Sequence, residues 1–160
     1  MRACACLLLL LAAVSAAACA KPVDLTQGLR IENVVTAWYD AGIVDGQNKI
    51  VPSIAFTVKN VSDQTLRTLQ VNALFHRVSE PKDEWGSNFI VAAGSAGLAP
   101  GATTAVLTLK SPLGYKGTDP RETLLHNSQF VDATVDLFAK YGSVQWTRVG
   151  QFPITRRLIQ

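Results

Sequence analysis

Most of the chain after residue 28 alternates apolar and polar side chains. In the stretch SIAFTVKN (53–60), for example, Ile54, Phe56 and Val58 are each separated by one other residue. An alternation of period two is typical of a β-strand with one face in the core and the other towards water. Parallel sheets in α/β proteins show continuous apolar runs instead, so the pattern favours antiparallel pairing. The stretches with this alternation are 53–60, 69–77, 104–110 and 131–140.

Three further strands are predicted at 29–40, 87–92 and 144–158. The last contains Gly150 and Pro153, which indicate a bend or bulge and a place at a sheet edge. Turn residues separate the strands: 60–64, 98–102 and 141–143 are rich in Gly, Pro, Asn, Asp and Ser. A short helix near 120–129 is possible, because Pro120 suits a helix start. We therefore predict an all-β fold, a β-sandwich of about seven to eight strands.

The first 18 residues have a different pattern. Arg2 precedes an apolar run over 3–18 that is shorter than the ~20 residues of a membrane-spanning helix. An amphipathic core helix would have a polar face, and this run has none. A charged start, an apolar stretch and small residues are the layout of a secretory signal.

Two processing routes follow from the end of this segment. The sequence Ala16-Ala17-Ala18-Cys19 resembles the lipobox of bacterial lipoproteins, in which the cysteine carries a lipid and becomes the first residue. Ala16 stands where that pattern usually has Leu. The alternative is ordinary cleavage after Ala18 or Ala20, which would release a soluble protein.

These observations divide the chain into a signal peptide (1–18), a tether (19–27) and a β-sandwich domain (28–160). The three cysteines, Cys4, Cys6 and Cys19, all lie before the domain, so we expect no disulfide and no thiolate metal site in it. Without the signal the chain has 14 basic and 12 acidic residues. Only Arg156 and Arg157 form a close basic pair, and this balance argues against binding to nucleic acid.

The domain resembles the immunoglobulin-like domains of FxLYD type found in bacterial envelope proteins. The resemblance covers about 54–139 and rests on Val58-Lys59-Asn60, on 71–75 (VNALF) and on 98–101 (LAPG). His76-Arg77 stand where that family has Tyr-Asp. The resemblance implies an immunoglobulin-like sandwich that binds or scaffolds without catalytic activity.

The sequence offers little catalytic chemistry. Nucleophilic catalysis needs a base beside the nucleophile, and the two histidines, His76 and His126, are fifty residues apart. We expect both to be solvated. We find no nucleophile elbow, no metal-ligand cluster and no phosphate-binding glycine loop. We therefore expect a protein without metal, cofactor or enzymatic activity.

Two loops carry aromatic residues beside glycines. Trp85 and Phe89 lie in 80–89, and Tyr115 lies in 111–117. Exposed rings supply contact area at low entropy cost, so these three are candidate partner-binding residues. The alternative is that Trp85 and Tyr115 close the open ends of the sandwich. For Trp38 and Trp146 we expect packing at the edge of the core.

The predicted function is a non-catalytic binding or scaffolding lipoprotein of the bacterial envelope. It would sit on the periplasmic side of a membrane, anchored at Cys19, and bind a protein partner through the aromatic loops or a sheet edge such as 144–158. Two alternatives remain. One is a soluble secreted inhibitor or ligand-binding module. The other is a hydrolase with an unrecognised site.

Overall fold

The structure is a computed structural model that describes residues 21–160 as two β-sheets packed face to face. The signal segment and Cys19 lie outside the described residues. In chain order the elements are α1 (Leu25–Gly28), β1 (Leu29–Val44), β2 (Gln47–Asn60), β3 (Leu69–Arg77), β4 (Gly86–Ala93), β5 (Leu107–Lys110), β6 (Tyr115–Gly117), α2 (Arg121–Leu124), β7 (Ala133–Lys140), β8 (Thr147–Pro153) and β9 (Leu158–Ile159).

One sheet has five strands and the other has four. The five-stranded sheet has the order β5-β2-β1-β9, with β6 also paired to β2, and the four-stranded sheet has the order β4-β3-β7-β8. Every pair is antiparallel except β1 with β9. The predicted all-β sandwich is confirmed, with nine strands in the described part of the chain.

The hydrophobic core fills the space between the sheets, and the alternation in each strand selects its members. In β7 the pattern is strict: Ala133, Val135, Leu137 and Ala139 are buried, and the residues between them are half-buried. The largest fully buried side chains come from both sheets and from the loops: Trp38, Phe56, Phe75, Leu25, Ile50, Ile54, Leu66, Leu69 and Leu137. This burial is the dominant stabilising term of the fold.

β1 and β2 form a long hairpin whose turn is Asp45-Gly46. Both residues have positive φ, 53° and 75°. That is the backbone of a type I′ turn, which matches the twist of two antiparallel strands and favours Asp-Gly. β1 therefore continues to Val44, beyond the end of the strand predicted at 29–40. β2 begins at Gln47, six residues before the strand predicted at 53–60.

Pro52 lies in the middle of β2, although proline has no N–H to give to a neighbouring strand. The neighbour of β2 changes at this point. β5 pairs with 53–56 and β6 with 48–50, so Pro52 faces the connecting loop, where Ser111 N–H donates to its carbonyl (2.9 Å). Gly114 in that loop passes so close to β2 that a Cβ there would lie 2.0 Å from the Ile50 carbonyl oxygen. Because Pro52 cannot donate a hydrogen bond on this side, β2 pairs there with two short strands, β5 and β6, rather than with one continuous strand.

The C-terminal stretch differs most from its prediction. The single strand predicted at 144–158 is two strands, because the chain leaves the four-stranded sheet after Pro153 and joins the other sheet as β9. The predicted edge position and irregularity are confirmed for β8, which pairs only with β7 and has a register shift next to Gly150.

The helices are short. The possible helix at 120–129 is reduced to α2, four residues long. α1 was not predicted, and it falls partly within the predicted tether. Leu25 in α1 is 2% exposed, and Val23 N–H donates to the Tyr141 hydroxyl (2.5 Å), so the chain packs on the sandwich from residue 23 onward.

The strand directions define two ends of the sandwich. The N-terminal end carries 21–28 and the loops 61–68, 94–106 and 141–146. The far end carries the 45–46 turn, the loops 78–85 and 154–157, and the segment 111–132, which contains β6 and α2. Leu29 to Trp38 in β1 spans ~30 Å at the ~3.3 Å rise of a strand. Features at the far end are therefore well separated from residues 21–28.

Candidate functional site

Trp85 and Tyr115 meet at the far end of the sandwich. With Trp38 and Phe130 they form what we call the aromatic cluster. The ring centroids are 5.2 Å apart for Trp85–Tyr115, 4.8 Å for Tyr115–Phe130 and 4.7 Å for Trp38–Phe130. These separations are those of favourable offset and edge-to-face pairs.

The rings of the cluster are held by main-chain hydrogen bonds. The Tyr115 hydroxyl donates to the Val131 carbonyl and accepts from the Val131 N–H, both at 3.1 Å. The main-chain N–H of Trp85 donates to the Phe75 carbonyl (2.8 Å). Trp38 is fully buried, and its Nε1 has no hydrogen-bond partner among residues 21–160.

Both Trp85 and Tyr115 are half-buried. The structure therefore places them where the alternative in the sequence analysis put them, closing one end of the sandwich. Their predicted role in partner binding stays a prediction. Trp38 was expected at the edge of the core but is fully buried. Trp146 is 40% exposed, and Lys140 Nζ lies 4.8 Å from its ring centroid.

Phe89 lies apart from the cluster, on the outer face of the four-stranded sheet. Its side chain is 63% exposed and that of Val91 is 53% exposed. The register places Asn72 of β3 directly between Phe89 of β4 and Phe138 of β7. Leu74, two residues from Asn72, belongs to the same face. We call Leu74, Phe89, Val91 and Phe138 the Phe89 face.

The free edge of β4 beside Phe89 is closed by one amide side chain. Asn88 Oδ1 accepts from the Phe89 N–H (2.9 Å), and Asn88 Nδ2 donates to the Lys110 carbonyl at the end of β5 (3.1 Å). This side chain therefore links the edges of the two sheets. It also occupies a backbone group that an added strand would need.

His76 is buried, and the expectation that both histidines are solvated is wrong for this one. The alternation of side chains along β3 does place His76 on the outer face of the sheet, but the 78–85 loop covers it there. His76 Nδ1 lies 3.0 Å from the Asp83 carbonyl, which can only accept, so Nδ1 donates. Its Nε2 lies 3.6 Å from Asp136 Oδ2, and Arg148 lies 2.6 Å from the other oxygen of that carboxylate. His126 is exposed, as expected.

Exposed ion pairs and a helix cap shift the pKa of three side chains. A hydrogen bond from Lys116 (2.7 Å), and then its charge, lowers the pKa of Asp45. The paired carboxylate of Asp132 raises the pKa of Arg156. The hydroxyl of Thr26, and then its N–H, lowers the pKa of Asp24 at the start of α1.

Within residues 21–160 no three His, Cys, Asp or Glu side chains are grouped as metal ligands would be. None of the helices in that part of the chain is long and apolar enough to cross a membrane.

No protein-family profile matches the chain. No curated protein matches it either. Among solved structures it is similar to the X-ray structure of Northeast Structural Genomics Consortium target SoR45, with 14% sequence identity and a TM-score of 0.47. The similarity covers 81% of this chain and 88% of that one.

Sequence reasoning missed Phe130, and it grouped Asn88 with the 80–89 aromatics without the edge-closing role that the structure gives it. Phe130 follows the weak helical stretch and has no alternating neighbours, so no periodic signal marks it as a member of the cluster. Asn88 looks like an ordinary strand residue. Only the neighbouring Lys110 carbonyl, supplied by the other sheet, gives its amide a role.

Proposed function

We propose that the protein is a non-catalytic, exported binding or scaffolding module, anchored by lipid at Cys19 on the periplasmic side of a bacterial membrane. In this proposal it binds a protein partner through the Phe89 face. The observation that carries the proposal is the exposure of Phe89 and Val91, both more than half exposed, on a strand without a charged residue.

The edge strand β4 lacks two of the usual protective features, charged residues and proline. Exposed edges are normally protected by lysines, prolines or bulges, because their unpaired backbone groups attract other chains. β4 (GSNFIVAA) has no charged residue and no proline, and its protection consists of a register shift between Val91 and Ala93 and of the Asn88 side chain, which leave Phe89 and Val91 exposed. Exposed apolar side chains next to one another mark interaction sites more often than scattered ones do.

The outer face, rather than the edge, is the proposed docking surface. The Asn88 side chain already occupies the Phe89 N–H, so a partner strand could not pair continuously along β4. The Phe89 face has two exposed apolar side chains, flanked by polar Asn72 and Gln70 of β3. An apolar centre with a polar rim is the usual composition of a protein interface.

The surroundings of His76 support the non-catalytic part of the proposal. Nδ1 is committed to the Asp83 carbonyl, and Nε2 faces a carboxylate that is paired with Arg148. Both ring nitrogens of His76 therefore face protein groups, and the bond from Nδ1 to Asp83 holds the 78–85 loop on the strand.

The N-terminal end supports the anchoring. Lys21, two positions after Cys19, accepts a hydrogen bond at its carbonyl from Gln64 Nε2 (2.9 Å). A lipid on Cys19 would therefore hold the N-terminal end of the sandwich near the membrane. The Phe89 face runs along the side of the sandwich, where a partner in the same compartment can approach it.

Site-specific photo-crosslinking in the native envelope tests the docking surface. A photoreactive residue at position 89 should give a discrete protein adduct, and the same residue at position 106 should not. Val106 is a matched control, because it is 66% exposed but lies outside the Phe89 face. Equal labelling at the two positions, or none at position 89, would contradict the proposed surface.

The anchoring is tested separately. Globomycin should block maturation of the wild-type protein, and Cys19→Ser should release the protein from the membrane fraction. If globomycin has no effect and the wild-type chain is recovered in the soluble fraction, the soluble secreted alternative is correct.

A further inference from the structure

A cavity of about 260 Å³ opens at the far end of the sandwich, beside the aromatic cluster. It lies between β6 and the segment that follows α2. Its walls are formed by Tyr115, Lys116, Leu124, Asn127, Gln129 and Phe130. We propose that this cavity binds a single neutral sugar ring, either as a free monosaccharide or as the end of a glycan.

The apolar wall of the cavity is rigid. The two bonds between the Tyr115 hydroxyl and the Val131 main chain fix the phenol ring. Phe130 packs 4.8 Å from Tyr115, and the Arg156 guanidinium lies over the Phe130 ring at 4.7 Å. A wall held in place on several sides needs no ordering when a ligand binds, and this lowers the entropic cost of binding.

The rest of that wall depends on a close contact between β6 and α2. A Cβ at Gly117 would lie 2.6 Å from Leu124 Cδ2, so the absence of a side chain at this glycine lets Leu124 pack closely against the strand. The cavity is therefore a shaped feature of the fold, with aromatic and aliphatic carbon on the inside.

The polar groups of the cavity are amides with spare hydrogen-bonding capacity. Asn127 Oδ1 accepts from the Gln129 N–H (2.8 Å). Within the part of the chain that the structure describes, Asn127 Nδ2 and both groups of the Gln129 side chain have no protein hydrogen-bond partner. Together they can offer donors and an acceptor to hydroxyl groups.

Among the described residues that line the cavity, the one charged residue, Lys116, is already paired. Lys116 Nζ lies 2.7 Å from Asp45 Oδ2, so its charge is compensated. An ionic ligand would thus have to compete with this pair, and a purely apolar ligand would displace water from the exposed amides of Asn127 and Gln129 without replacing its hydrogen bonds. A neutral sugar ring satisfies both conditions, because its C–H face can pack on the half-buried Tyr115 ring and its hydroxyls can pair with the amides.

The size of the cavity fits one ring. Sites for drug-sized ligands have volumes of about 300–1,000 Å³, and this one is slightly smaller. Its position at the far end of the sandwich leaves it open to a ligand when the end that carries residues 21–28 is held at a membrane. This inference does not depend on the Phe89 face, which belongs to the opposite sheet.

The test is an NMR titration of the purified mature chain (19–160) with glucose, galactose and N-acetylglucosamine, alongside binding to oligosaccharides that end in these sugars. We expect saturable shifts confined to the amides of 115–117 and 124–131. Gln129→Ala should weaken binding about tenfold, the loss of one hydrogen bond. Gln151→Ala, an exposed glutamine on β8, should leave it unchanged.

A response to the free sugars identifies the single ring as the ligand, and a response to oligosaccharides alone identifies a glycan end. Both support the proposal. It is overturned if none of these probes shifts the cavity amides, or if Gln129→Ala binds as tightly as the wild type. It is also overturned if a Leu-Phe dipeptide saturates the cavity while the sugars do not, since the site would then belong to a protein segment.

Discussion

Replacing Asn60 with alanine should strongly destabilise the domain, because this one polar side chain makes four hydrogen bonds. Asn60 ends β2 and is fully buried. Its Nδ2 donates to the Gln64 and Leu98 carbonyls, both at 2.8 Å. Its Oδ1 accepts from the N–H and the hydroxyl of Ser62, at 3.0 and 2.7 Å. One side chain therefore ties two turns to the end of a central strand.

The magnitude follows from these four bonds. Each contributes about 0.5–1.5 kcal/mol net, and a buried group left without a partner costs about 1–3 kcal/mol. After the substitution to alanine, the Gln64 carbonyl can still accept from Ser62 Oγ, and the Leu98 carbonyl still accepts from the Leu66 N–H. Neither carbonyl is therefore left without a hydrogen-bond donor. We expect a loss of about 3 kcal/mol in the free energy of unfolding, which lowers Tm by about 10 °C for a domain of this size.

Urea unfolding followed by tryptophan fluorescence measures this loss. Asn72→Ala is the matched control, because Asn72 is half-buried on the outer face and makes no side-chain hydrogen bond to the other described residues. It should change stability by less than about 0.5 kcal/mol. A loss in Asn60→Ala no larger than in Asn72→Ala would refute the assignment of Asn60 as the link between the two turns.

Asn60→Asp separates hydrogen bonding from packing. It keeps the two bonds from Ser62 but turns a carboxylate oxygen towards two carbonyls in a buried site, which disfavours the charged form. We expect this variant to be strongly destabilised at neutral pH and to recover part of its stability as the pH is lowered, because a protonated carboxyl can donate one bond. A pH-independent defect would show that volume rather than donor chemistry matters.

Two further predictions concern the far end of the sandwich. Gly114→Ala should cost about 1–3 kcal/mol, because its Cβ would collide with the Ile50 main chain; Gly94→Ala, with no atom within 4 Å of its Cβ, should be close to neutral in the same thermal unfolding experiment. Asp45→Asn should lower stability at neutral pH, where Lys116 stabilises the carboxylate. Because the pKa of Asp45 is lowered in the folded state, its contribution exists above its ordinary value of 3.8 and disappears as the pH falls through the folded pKa. The wild-type and variant unfolding curves should therefore converge in acid, and a constant gap would contradict the ion pair.

The strands themselves could be predicted because their signal is local. In the peptide LQVNALFHR (69–77) every second residue through Phe75 is buried, and the structure reproduces both the boundaries and the inward phase. The Asp45-Gly46 turn carries an equally local signal, since few other residue pairs adopt positive φ twice in succession, but it was not among the turns predicted from the sequence.

The candidate site was only partly predictable. Trp85 and Tyr115 are thirty residues apart and meet through strands of different sheets, and their cluster includes Trp38 and Phe130, which no local pattern connects to them. His76 illustrates the same limit. Its strand phase indicated solvent, but a loop that returns over the strand end buries it.

The sequence by itself determined the fold class, because the period of apolar residues shows which face of each strand must leave water. The tertiary structure alone decided which residues are neighbours. It joined Phe89, Asn72 and Phe138 in one row, and it placed the amides of 127–129 beside aromatic rings. The reason is that alternation orients a side chain relative to its own strand, whereas strand order, register and loop paths are set by contacts between distant parts of the chain.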